Sequence, residues 1–143
     1  MSKKVWIGFI VVYIFMQLSD FIIHGVLLNS TYEAIRSAVP GLYRGAEDQK
    51  IWIFFVLGLF FSYFFVYIFS KGYEGKGMPE GLRYGFYISL MTALPAAFAE
   101  FAMHPIPVVL SIEWFCFDVV KLLIAGMIAA MVLGGTQKGS VPA

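Results

Sequence analysis

The chain has 143 residues, of which 60% are hydrophobic and 13% charged, with a formal net charge of +1. A soluble domain averages roughly 45–50% apolar and about 25% charged residues, so the composition argues against a water-soluble fold and for a chain built for lipid. The near-neutral charge gives no sign of a nucleic-acid partner, and the single cysteine, Cys116, excludes an intrachain disulfide and a CxxC redox motif.

Lys3 and Lys4 precede the first apolar run, 5–28. A secretory h-region holds about 7–15 apolar residues and ends at a small-residue cleavage site, so this longer run reads as a retained span. Crossing ~30 Å of hydrocarbon takes about 20 helical residues, and 51–70, 82–103 and 108–133 also qualify. Backbone groups in lipid must be satisfied within the segment, which favours helices, and the runs lack the alternation of a membrane barrel. Between the first two spans, 29–50 is polar. Ser30 and Glu33 have capping-box spacing for a short interfacial helix that Pro40-Gly41 would end. The second span, "WIFFVLGLFFSYFFVYIF", carries no ionisable group and suits lipid or a partner subunit. Residues 71–81, "KGYEGKGMPEG", read as a Gly-rich turn, and Pro95 kinks the third span one turn before Glu100. The very short "HPIP" makes spans three and four a hairpin, and the tail "GGTQKGSVPA" reads as frayed.

The expected fold is an all-α, antiparallel four-helix transmembrane bundle in one domain. Lys3, Lys4, Lys71, Lys76, Arg83 and Lys138 collect on one side, and Arg36, Arg44 and Lys50 on the other. That excess places both termini in the cytoplasm. Trp6, Trp52, Tyr43, Tyr73 and Tyr84 lie near span ends, where an aromatic belt belongs. Gly81, Gly85 and Ser89, and again Gly126, Ala130 and Gly134, recur every four residues as small-residue seams for close helix contact.

Two acid–histidine pairs interrupt the apolar runs. "DFIIHG" sets Asp20 four residues before His24, and "EFAMH" sets Glu100 four residues before His104; the chain has 2 histidines in all. Residues i and i+4 share a helix face, and Gln17 joins the first stripe. With a rise of ~1.5 Å per residue, Asp20 lies roughly 12 Å inside Leu28, and Glu100 about 6 Å inside His104. On the last span Glu113, Asp118 and Lys121 fall at roughly 9, 16 and 21 Å from Pro107 by the same rise. Ionisable groups within a span face a bundle interior or a water-filled cavity, because a charge at the bilayer centre costs at least ~2.5–3.5 kcal/mol. The acids outnumber Lys121, so protonation, cationic histidines, an arginine folded back from the outer loop or a bound cation must offset the excess.

Three functions suit such a cluster. Histidine and carboxylate from facing helices are how bundles hold transition metals, which makes His24, His104, Asp20 and Glu100 candidate ligands. The i, i+4 spacing departs from the Glu-x-x-His of di-iron bundles, and His104 precedes Pro105 and is placed to cap its helix. A haem between His24 and His104 is the related redox reading. Chains of Asp, Glu and His also build pathways for protons or pockets for small polar ligands. The third role is structural: Asp20–His24, Glu100–His104 and an i, i+3 Asp118–Lys121 salt bridge fix which faces meet. There is no nucleophile–base motif and no phosphate loop. The residues therefore favour a non-enzymatic membrane protein whose outer-leaflet polar cluster stabilises the bundle and takes a small ligand or cation. An accessory subunit of a larger membrane complex, or a homo-oligomer, is the alternative.

The stretches "DFIIHGVLL", "FFVYIFSKGYEGKG", "EGLRYGFYISL" and "HPIP" resemble a group of small bacterial four-span membrane proteins of unknown function. The likeness runs from about Asp20 into the last span. It implies a four-helix fold in a bacterial inner membrane and brings no cofactor or catalytic residue with it.

Overall fold

A computed structural model describes residues 2–134, and its regular elements are all helical. Four helices are long and apolar enough to cross a membrane, which defines an integral membrane protein. The first runs as α1 (Lys3–Asp20) and continues without a break as a π-helix (Phe21–Leu27). The others are α3 (Ile51–Gly72), α4 (Met78–Met103) and α5 (Val108–Gly134). The short α2 (Asn29–Ala38) and a single 3₁₀ turn (Ala46–Asp48) lie between the first two.

The connections follow from local chemistry. Leu28 is buried at the bend between the π-helix and α2, so α2 starts directly at Asn29. The Ser30–Glu33 capping box does not form: the helix begins before Ser30 without a side-chain cap, and Glu33 pairs with Arg36 at 2.5 Å instead. The expected stop does occur. Val39 precedes Pro40 and is extended, at φ −130° and ψ 82°, as the clash with a following proline ring requires. The turn between α3 and α4 is shorter than the Gly-rich stretch, because Pro79 is tolerated in a first helical turn that needs no donor. Gly75 and Gly77 take positive φ there. Glu80, 6% exposed, turns back and accepts the N–H groups of Glu74 at 2.7 Å and Lys76 at 2.9 Å. α4 passes through Pro95 as one helix.

Packing divides into two clusters. The larger joins α1, α3 and α5 through Val12, Met16, Phe65, Val66, Leu122, Ala125 and Ala129. The smaller gathers Ile23, Leu28, Ile35, Ile106 and Leu110, with Tyr32, Tyr43, Trp114 and Phe117 against it. It seats α2 over the start of α5. Helices α4 and α5 meet along the predicted small-residue seam. A Cβ on Gly81 would collide with the carbonyl of Gly126, and one on Gly85 with that of Leu122. Contact positions fall along α5 as they rise along α4. Gly134 departs from the seam, since its neighbour is the Tyr73 hydroxyl. The aromatic belt holds only in part. Trp6 and Trp52 are exposed, whereas Tyr84 donates to the Phe65 carbonyl at 2.7 Å and Tyr43 packs inward.

Candidate functional site

The sequence-predicted polar residues separate into two groups. The first is an ion triad across α1 and α5. The Lys121 ammonium lies 2.5 Å from Asp20 Oδ1 and 2.6 Å from Asp118 Oδ1. The lysine side chain is 11% exposed, against 41% for Asp20 and 31% for Asp118. The cation is therefore the inner member, and the carboxylates face outward around it. Each aspartate meets the lysine through Oδ1. Formal charges of −1, −1 and +1 sum to −1.

The i, i+4 spacing predicts an Asp20–His24 contact, but His24 bonds elsewhere. It lies in the π-helix, where each turn takes in an extra residue, and its Nδ1 is 2.7 Å from the Tyr32 hydroxyl. The rings stack at 18°. The same hydroxyl accepts the Trp114 indole N–H at 2.7 Å. The Tyr32 hydroxyl therefore bridges the Trp114 indole and the His24 imidazole. The π-helix, α2 and α5 are thus tied by one hydrogen-bond chain. Burial pushes the Tyr32 phenol up to about 12, against the donated Trp114 bond, with the Tyr43, Asp118 and Glu113 charges adding to the rise. Glu113 is half-buried and has no ion-pair partner among the described residues. Gln17 leaves the Asp20 stripe: its amide lies over Gly58 of α3, where a Cβ would collide with Nε2.

The second group is Glu100–His104 at the end of α4. Here the i, i+4 pairing forms, with Nδ1 3.0 Å from Oε2 and both side chains about half exposed, at 45% and 51%. His104 is extended and its N–H caps the helix on the Glu100 carbonyl. Neither residue bonds to the triad. Tyr43 lies between the groups, 6.1 Å from Tyr32 by ring centroid. Burial and then the Glu100 carboxylate hold its phenol above its ordinary value. No group of three or more His, Cys, Asp or Glu arranged to hold a metal ion occurs among the described residues.

Tyr32 and Trp114 are neighbours of the polar cluster that spacing of charged residues alone does not find. A signal for both exists in the apolar pattern. Leu28, Tyr32 and Ile35 fall at i, i+4 and i+7 on the one apolar stripe of α2, and Leu110, Trp114, Phe117 and Lys121 repeat that spacing along α5.

The fold and site together define a four-span, all-helical integral membrane protein with a polar cluster between its first and last spans. No family model, no curated protein and no solved structure matches the chain.

Proposed function

We propose that this is a non-enzymatic protein of the bacterial inner membrane, an antiparallel four-helix bundle with both termini in the cytoplasm. Its Asp20–Lys121–Asp118 triad fixes α1 against α5 and binds one small cation in the outer half of the membrane. The observation that supports the reading is the convergence of two carboxylates on one largely buried ammonium, two acids to one base. A formal charge of −1 among apolar helices favours a counter-charge, and carboxylate oxygens are hard ligands of the kind alkali and alkaline-earth ions take. His24, exposed beside the triad and held by Tyr32, marks the entrance.

The test is a melting series of the protein in nanodiscs with sodium, potassium or magnesium added at constant ionic strength. A ligand at 100 times its Kd stabilises by about 2.7 kcal/mol, so one cation should raise the melting point well above the others. Asp118→Asn, which makes the cluster neutral, should abolish the difference. Identical melting curves in all three salts would reject cation binding. Cysteine labelling from the periplasmic face, in a Cys116→Ser background because the native thiol is exposed, tests the orientation separately: reaction at Asp20→Cys with none at Lys76→Cys is expected, and the reverse would invert the topology.

A further inference from the structure

A groove of about 300 Å³ lies between α3 and α4, and no residue of the triad lines it. Phe60, Phe64 and Ile68 line it on α3, and Tyr84, Ile88 and Met91 on α4. Its length, from Phe60 to Ile68, is roughly 12 Å by helical rise. It has room for an extended hydrocarbon chain. Its walls are almost wholly apolar, with the Thr92 hydroxyl turned back to the Ile88 carbonyl at 2.8 Å.

Beyond the Ile68–Tyr84 end of the groove the chain turns from α3 into α4, and basic residues flank that turn. Lys71 lies three residues beyond Ile68 and seven beyond Phe64, on the groove side of α3, with Nζ over the Tyr67 ring. Arg83 adjoins Tyr84 and is exposed. Of the nearby acids, Glu80 is buried against the loop amides and Glu74 pairs with Lys76. Lys71 and Arg83 have no ion-pair partner among the described residues. We infer that the α3–α4 groove is a binding site for an anionic phospholipid, one acyl chain between the helices and the phosphate at Lys71 and Arg83. Basic residues where helices meet a membrane surface select anionic headgroups, and the apolar slot supplies the chain site. The inference stands independently of the triad.

The experiment is native mass spectrometry of the full chain in detergent with equal amounts of phosphatidylglycerol and phosphatidylcholine. The wild type should retain one phosphatidylglycerol. Lys71→Gln and Arg83→Gln should each weaken it about fivefold, leaving phosphatidylcholine unchanged; both positions are exposed, so folding is spared. Ile88→Trp, which fills the slot, should remove the bound lipid altogether. Equal retention of the two lipids by the wild type would overturn the inference, as would phosphatidylglycerol held undiminished by the Lys71/Arg83 double variant. A wild-type dimer that Ile88→Trp splits would assign the groove to a second copy and also overturn it.

Discussion

Lys121→Met tests the triad because it removes one charge while keeping the side chain's bulk. The lysine makes two short ion pairs, at 2.5 and 2.6 Å. Removing one partner of a fully buried pair costs about 3–5 kcal/mol, but the aspartates are partly exposed, which lowers that figure. Measured interhelical polar contacts in a membrane protein average ~0.6 kcal/mol with a maximum near 1.7. Two such contacts, plus the repulsion left between two aspartates, give a loss of roughly 2 kcal/mol. The assay is reversible unfolding in mixed micelles by added SDS. The companion is Asp20→Asn/Lys121→Met/Asp118→Asn, which has no charge to leave unpaired. If unpaired charge is the cause, the triple variant recovers at least half of the loss. A single variant as stable as the wild type, or a triple variant weaker than the single, would refute the reasoning.

Gly81→Val and Gly126→Val place side chains on facing backbone carbonyls and should destabilise by more than about 3 kcal/mol, whereas Gly72→Ala, which meets open space, should be silent in the same unfolding assay. Tyr32→Phe breaks both bonds of the His24–Tyr32–Trp114 chain and should cost about 1–3 kcal/mol, read as faster amide exchange in α2. The tyrosine also sets a pH dependence. Its phenol titrates at an ordinary 10.0 when unfolded and at about 12 when folded, so the unfolded chain loses its proton first. Stability is full below pH 10 and falls as pH rises towards 12; Tyr32→Phe should flatten that part of the profile. Glu80→Gln sets an amide donor against a loop N–H and should cost about 1–3 kcal/mol, with protease cutting in the 73–77 turn as the readout. His104→Ala removes a half-exposed pair and should change stability by less than about 1 kcal/mol.

The spans and the α4–α5 seam were legible because both rest on strong local signals. An apolar run of sufficient length permits one structure in lipid, and glycine every fourth residue leaves one face for close contact. The Asp118–Lys121 and Glu100–His104 pairs were legible for the same reason, being contacts within one α-helix. Asp20–His24 was not, because the helix changes its bonding pattern at Phe21, and nothing in "FIIHGVL" marks a π-helix against an α-helix. Asp20–Lys121 spans 101 positions, so the sequence names both groups as needing a partner without naming the partner. The role of Glu80 was hidden because a carboxylate beside glycines in a polar turn has the look of a solvated one. The predicted frayed tail and Lys138 fall outside the described residues.

The account turns on whether the triad holds a cation. Equilibrium dialysis of the purified chain against radiolabelled sodium, with calcium and potassium as competitors, measures this directly. One ion bound per chain in the wild type and in His104→Ala, and none in Asp118→Asn, is the predicted result. No saturable binding in the wild type, or undiminished binding in Asp118→Asn, would contradict it and leave the triad as a purely structural tie between α1 and α5.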